Sequence, residues 1–338
     1  MKRISIFIAF FVAGIAIFLS VYADLPASAS ALWSWSSRAS QHIEKKDIID
    51  NKSSSSSPVA QSPETAATRA FPPALPAVPA ITAESFLVRV IGEHEPLFAK
   101  QERARMKPAS LTKMMTALIA EEELSPRAGV PLSAAATRVE EKTSRIPADE
   151  LFSKDDMLRI MLVSSANDAA MALAEAVGRR YDAFLFQDAI DIFVARARAR
   201  FAILGLNDTS FQSPSGLDHE NHYTTAHDLF LLTSYIMRVH PRLWDMTREP
   251  DAVITSQNNS RTFNLVTTNT LLGEFPALIG GKTGLTDGAK ETLMLLYPIG
   301  RMKDGQDTRI AVIIILASED RFGDGRRIIR WLEQTFNK

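Results

Sequence analysis

The chain has 338 residues, 38 basic against 39 acidic side chains, and no cysteine. The balanced charge gives no sign of a nucleic-acid partner, and the missing thiol excludes cysteine nucleophiles, disulfides and thiolate metal sites. At this length the chain exceeds one average domain without amounting to two clear ones.

Lys2 and Arg3 precede the apolar run Ile4 to Tyr22, which would reach about 28 Å as a helix, close to the hydrocarbon thickness of a bilayer. Ala27-Ser28-Ala29 would serve as a cleavage site, but the run is long for a signal peptide, so residues 1–29 are expected to be an uncleaved membrane anchor, with a signal peptide as the alternative. In both cases the basic end stays inside, and the rest of the chain is expected on the outer face of the cytoplasmic membrane, or secreted if the segment is cut. Trp33 and Trp35 suit a membrane interface. Residues 30–80 carry the run Ser53 to Ser57 and prolines at 58, 63, 72, 73, 76 and 79. Such composition buries too little apolar surface to offset the entropy of ordering, and predicts a disordered Ser/Pro-rich linker.

Residues 81–338 are expected to form the folded domain. Glu84 to Ile91 alternates and is β-prone, Gly92 to Pro96 reads as a turn, and Leu97 to Lys100 returns as a second strand. Pro108 is suited to opening a helix, so a helix is predicted from about Ala109 or Ser110 to Ala120, with Leu111, Met114, Met115, Leu118 and Ile119 as its buried stripe. Ser153 to Asp156 is a capping signal before a helix over Met157 to Val163. Helices are predicted over Asp168 to Val177 and Ala183 to Leu204, and Thr225 to Asp228 caps another reaching about Val239. Strand character returns at Leu278 to Thr286, Thr292 to Tyr297 and Arg309 to Ala317, the last two joined by a turn around Asp304-Gly305. A helix over Arg326 to Phe336 closes the chain. This order predicts an α+β fold in which one antiparallel sheet is completed from both ends of the domain, with a helical lobe inserted between.

Ser110 and Lys113 stand one helical turn apart on a mostly apolar helix. A desolvated lysine loses its charge more readily, and a neutral amine beside a serine can activate it as a nucleophile. An S-x-x-K tetrad arises by chance roughly once in a chain of this length, so the pair gains weight only from partners elsewhere. Ser164-Ser165-Ala166-Asn167 is a polar break between helices, the alternative being a plain cap or turn. Gly280-Gly281-Lys282-Thr283-Gly284-Leu285 lies on a predicted strand, where glycines mark a bulge or a close approach of other backbone. Lys282 and Thr283 would suit an anionic substrate along that strand edge.

Ser110-Leu111-Thr112-Lys113, Ser165-Ala166-Asn167 and Lys282-Thr283-Gly284, in that order, closely resemble the three motifs of penicillin-recognising serine enzymes. Among these the chain is most similar to the low-molecular-mass D-alanyl-D-alanine carboxypeptidases. The resemblance extends over nearly all of 81–338, including Ser213 to Asp218 and Asn221 to Ala226. It implies a β-lactamase/transpeptidase-like fold, a five-stranded antiparallel sheet flanked by helices. It also implies a catalytic domain that cleaves the terminal D-alanine from peptidoglycan stem pentapeptides and is acylated by β-lactams, without metal or cofactor. In that reading Ser110 attacks the penultimate carbonyl, Lys113 is the general base, and Ser165 with Lys282 relays a proton to the leaving amine. The N–H groups of Ser110 and Leu285, the latter next to Gly284, form the oxyanion hole. Asn167 holds the substrate amide, and Thr283 and Arg321 bind the terminal carboxylate.

The chain departs from the family pattern at Ala166 and Lys290, where glycine is usual. It ends just after the closing helix, without the β-rich domain and amphipathic anchor of some relatives, so anchoring is expected to fall to the N-terminal segment. Related readings are a DD-endopeptidase, which uses the same catalytic parts, and a β-lactamase. The class A form of the latter needs a glutamate after the second motif, and none occurs between Glu175 and Glu220, which favours slow release of a penicilloyl adduct. A silent peptidoglycan-binding module would not need Ser110, Lys113, Ser165 and Lys282. A metal site at Asp218, His219, His222 and His227 competes with the reading of these residues as a polar loop and a helix cap.

Overall fold

The computed structural model describes residues 76–141, 144–300 and 309–336. The expected anchor, nearly all of the linker and the turn around Asp304-Gly305 lie outside these residues. In chain order the elements are β1 (Ser85–Val90), β2 (Phe98–Lys100), a 3-10 turn at Ala109–Leu111 running into α1 (Thr112–Glu123), β3 (Gly129–Pro131), β4 (Leu151–Ser153), α2 (Lys154–Val163), α3 (Asn167–Arg179), α4 (Phe186–Ile203), α5 (Ala226–Val239), α6 (Arg242–Thr247), β5 (Asp251–Thr255), β6 (Thr262–Val266), α7 (Leu271–Glu274), β7 (Gly280–Thr286), β8 (Lys290–Ile299), β9 (Arg309–Ser318) and α8 (Arg321–Phe336). Among the described residues no helix is long and apolar enough to cross a membrane.

Five strands form one antiparallel sheet in the order β2-β1-β9-β8-β7. The early hairpin therefore joins the late strands through β1 and β9, as the order of predicted elements required, with Ser85 opposite Leu316. Strands β8 and β9 are apolar at nearly every position because both sheet faces are covered. With the period of two, Leu293, Leu295, Ile313 and Ile315 face Ile328, Ile329 and Leu332 of α8. Met294, Leu296, Val312 and Ile314 face the helical side, in one core with α1, α2 and α3. Each such side chain, fully buried, contributes roughly 1.5–3 kcal/mol, against about 1 kcal/mol for a helix cap. The two-faced sheet, more than any cap, holds the lobes together.

The two capping signals form as expected: Ser153 Oγ accepts the N–H of Asp156 and Thr225 Oγ1 that of Asp228, both within hydrogen-bond distance. Among the features that differ from expectation, three bear on the site or the core. Helix α1 is buried all round from Thr112 to Ala120, where a stripe was expected, because it sits between the sheet lobe and α2, α3 and α4. Helix α8 begins at Arg321 and not at Arg326. Gly323 and Gly325 weaken that first turn in sequence terms, but the Asp320 carboxylate accepts the Gly323 N–H at 2.8 Å, and Gly325 lies where a Cβ would come 2.9 Å from Leu293. A two-stranded ribbon, β5 with β6, was not anticipated. Its strands each turn one face to solvent, leaving Val253 and Val266 exposed, so no clean apolar alternation marks them.

Candidate active site

Ser110 sits in the 3-10 turn that opens α1. Ala109 before it is held at φ 49°, a left-handed conformation. Two glycines let other backbone close on this turn. A Cβ on Gly216, itself at φ 87°, would stand 2.0 Å from the Ala109 carbonyl oxygen. One on Gly284 of β7 would stand 2.9 Å from the Ser110 nitrogen and 2.3 Å from Thr292 Oγ1. The glycine in the predicted strand thus marks a close backbone approach. Because backbone oxygen cannot move aside cheaply, Gly216→Ala is expected to destabilise the domain by at least about 2 kcal/mol. Chemical denaturation of the two proteins measures this.

Lys113 is wholly buried, and its Nζ lies 2.7 Å from each of three oxygens: Ser110 Oγ, Asn167 Oδ1 and the Ser215 carbonyl. Burial pulls its pKa down to about 7, against the smaller opposing charges of Glu141 and Asp168. The partners then decide the geometry of the neutral amine. Asn167 Oδ1 and the Ser215 carbonyl can only accept, so they take its two N–H groups and leave the lone pair for the Ser110 hydroxyl. This is the arrangement a general base for Ser110 requires.

The second and third motifs meet on the other side of the serine. Lys282 Nζ, also buried, donates to Ser165 Oγ and to the Thr283 carbonyl, both at 2.8 Å. Burial first, then the charges of Lys113 and Arg321, push its pKa well down. Ser165 is held at φ 59° in the connection between α2 and α3, a conformation that costs a non-glycine residue roughly 1 kcal/mol. Asn167 is more occupied than a substrate ligand needs to be. Besides accepting from Lys113, its Nδ2 donates to the carbonyls of Glu140 and Glu141 at 3.2 and 3.1 Å.

Ser110, Asn167, Thr283, Leu285 and Arg321 line one open cleft. Arg321 donates to the Gly284 carbonyl at 3.0 Å and has Glu291 at 3.7 Å, while its Nε is buried without a hydrogen-bond partner. Burial lowers its pKa from the usual guanidinium value. The structure thus brings together every motif residue singled out in the sequence. It adds three to which the sequence assigned no part in the site. Thr268, on the loop after β6, places Oγ1 2.5 Å from Thr283 Oγ1. Glu141 reaches the cleft from the long connection between β3 and β4. The Ser215 carbonyl serves Lys113 through backbone, which side-chain identity does not report.

Lys290, where the family pattern has glycine, is at φ 54°. Its ammonium lies 2.9 Å from Glu84 and 2.8 Å from Glu319, contacts a glycine would not make. The residues weighed as metal ligands have other partners. Both His222 nitrogens are hydrogen-bonded, and Asp218 accepts from Thr286 Oγ1 and the Gly288 N–H at the β7–β8 turn. A roomier hollow lies between α1, β3 and α3, but its Glu175 and Arg179 pair with each other at 2.9 Å and it holds no nucleophile with a base.

Known proteins resemble both the sequence and this architecture. The family model for D-alanyl-D-alanine carboxypeptidase matches residues 73–315. The D-alanyl-D-alanine carboxypeptidase DacB2 of Mycobacterium tuberculosis is 30% identical over 219 residues, which are 64% of this chain and 71% of the relative. A D-alanyl-D-alanine endopeptidase of Pseudomonas aeruginosa is 27% identical over 274 residues, 80% of this chain and 84% of that one. The crystal structure of a D-alanyl-D-alanine carboxypeptidase from Mycobacterium tuberculosis aligns with a TM-score of 0.64 at 27% identity, covering 78% of this chain and 95% of that chain. The matched segment holds all three motifs and stops short of Arg321, and by its extent the chain belongs to the D-alanyl-D-alanine carboxypeptidase family.

Proposed function

We infer that the protein is a serine-type D-alanyl-D-alanine carboxypeptidase acting on peptidoglycan stem peptides through an acyl-enzyme on Ser110. The observation that carries this is Lys113, buried and flanked by two obligate acceptors, so that its lone pair is directed at the serine hydroxyl.

The terminal carboxylate of the peptide docks at Thr283 and Arg321, which brings the penultimate carbonyl to Ser110. Lys113 takes the hydroxyl proton as the Ser110 oxygen bonds to that carbonyl carbon. The N–H groups of Ser110 and Leu285 stabilise the oxyanion. As the C–N bond breaks, the proton that Lys113 took passes by way of the Ser165 hydroxyl, which Lys282 holds in place, to the leaving D-alanine nitrogen, and Lys113 is neutral again. Water then hydrolyses the ester, with Lys113 again accepting a proton. A β-lactam enters the same path and stops at the ester, because its leaving group stays attached. The carboxylate lining the cleft, Glu141, belongs to the loop before the second motif and not to the stretch after it that class A β-lactamases use.

Cleavage of peptide cross-links is the second reading, favoured by the likeness to the endopeptidase. The protein incubated with a pentapeptide ending in D-Ala-D-Ala and with a cross-linked dimer separates the two. Free D-alanine from the first with the dimer intact is expected. Consumption of the dimer alone would replace the carboxypeptidase assignment. We further propose that residues 1–29 hold the domain at the outer face of the cytoplasmic membrane, with 30–80 as tether. The basic-then-apolar start of the chain supports this reading. Cell fractionation should recover the full-length chain with membranes, and recovery of a shortened soluble chain would overturn it.

A further inference from the structure

A buried relay ends at the nucleophile turn and takes no part in the proton transfers above. The Gln212 N–H donates to His222 Nδ1 at 3.0 Å, His222 Nε2 lies 2.9 Å from Thr112 Oγ1, and the Thr112 hydroxyl donates to the Ala109 carbonyl at 2.7 Å. His222 is 3% exposed and Thr112 0%. The directions are forced. A backbone N–H can only donate, so Nδ1 is an acceptor, the single hydrogen of the neutral ring is on Nε2, and Thr112 accepts it while giving its own to Ala109. Burial keeps the ring neutral, bringing its pKa down to about 4.

The end of the relay has a geometric consequence one bond away. The Ala109 carbonyl and the Ser110 N–H are opposite ends of one planar trans peptide unit and point in opposite directions. A force that fixes the carbonyl oxygen therefore aims the N–H. The unit needs such a force, because Ala109 is held at φ 49°, outside the conformations an alanine prefers. Gly216 closes the space on the carbonyl side, since a Cβ there would come 2.7 Å from Thr112 Oγ1 as well as onto the Ala109 oxygen. We propose that Thr112 and His222 are positioning residues that aim the Ser110 N–H at the developing oxyanion by holding the far end of its peptide plane. They touch no substrate and exchange no proton with it. The inference deepens the acyl-enzyme reading above and rests on it.

The test uses the full-length chain, with reactive sites counted by stoichiometric titration with a fluorescent penicillin. A depsipeptide ending in D-alanyl-D-lactate and its counterpart with C=S in place of the reacting C=O are then compared per titrated site. An oxyanion donor aimed at oxygen favours the C=O substrate. Thr112→Val should lower kcat on the C=O substrate about ten-fold, a fraction of the 10²–10³ that loss of a whole donor costs. KM should change less than about two-fold, the C=O to C=S rate ratio should shrink, and Thr112→Ser, which restores the hydroxyl, should recover most of the rate. A purely structural tie predicts fewer titrated sites, each reacting at the wild-type rate with an unchanged ratio, and that result overturns the proposal. Where Thr112→Val leaves no titratable site, the same readouts on His222→Gln decide. A wild-type chain with no titratable serine would instead refute the acyl-enzyme reading.

Discussion

Ser110→Ala is expected to abolish covalent labelling by a fluorescent penicillin and to lower D-alanine release by at least about 10³-fold. The size of the effect follows from the bond that cannot form: without Oγ there is no ester, and what remains is positioning and the oxyanion donors. The fold should tolerate the change. Ser110 is half-buried, Lys113 keeps Asn167 and Ser215 as acceptors of its two N–H groups, and only the lone pair of the amine loses its partner. Thermal denaturation should therefore place the variant close to the wild type. Label retained on Ser110→Ala protein would mean that another residue is acylated, and the assignment of the nucleophile would fall.

The second large effect is in pH. Only neutral Lys113 can take the serine proton, and its pKa is held at about 7 by burial. The sign follows directly: the acylation rate constant rises about ten-fold per pH unit below 7 and levels off above it, so at pH 5 about 1% of the plateau remains. Free lysine, near 10.4, would still be climbing at pH 9. Stopped-flow acylation between pH 5 and 9 distinguishes the two, and a profile that keeps rising to pH 9 would show that Lys113 is solvated and not the base. Lys113→Arg removes the neutral form altogether, since guanidinium stays charged. It should cost about 10³-fold or more in acylation at every pH. Glu141 opposes burial at Lys113, so Glu141→Gln should move the inflection to lower pH. The direction of that shift checks that the lysine, and not the buried His222, is the titrating group.

Much of this site could be read from spacing because its parts lie on regular elements. Ser110 and Lys113 are one turn apart, so helical periodicity puts those two side chains together, whereas neighbours on a strand point to opposite faces, and Lys282 and Thr283 are tied to the site by motif and not by period. The polar break at Ser165 and Asn167 was visible as a turn, but its φ of 59° at Ser165 was not, since no glycine or asparagine announced it. Thr268 and the Ser215 carbonyl come from irregular segments, where sequence carries no period and a backbone oxygen carries no residue name. The β5–β6 ribbon was missed for a related reason: half-exposed, short strands dilute the alternation that marks a sheet. The start of α8 was placed late because two glycines argued against a helix that the Asp320 carboxylate and close packing on Leu293 make possible.

The junction of β1 with β9 has a consequence for how the enzyme comes into being. Ser85 lies at one end of the domain and Leu316 at the other, so this pairing is among the least local contacts the chain can make. Closing it late is slow by the ordinary dependence of folding rate on contact order. During synthesis, helices α1 to α4 can gather their own core while Lys282, Arg321 and the last three strands have yet to be made. The lysine beside Ser110 can be buried early, but β7, whose edge borders the cleft, is made only after all of these helices. The growing chain is thus incapable of hydrolysis until β7 to β9 and Arg321 have been added, a delay written into the topology and needing no separate inhibitor.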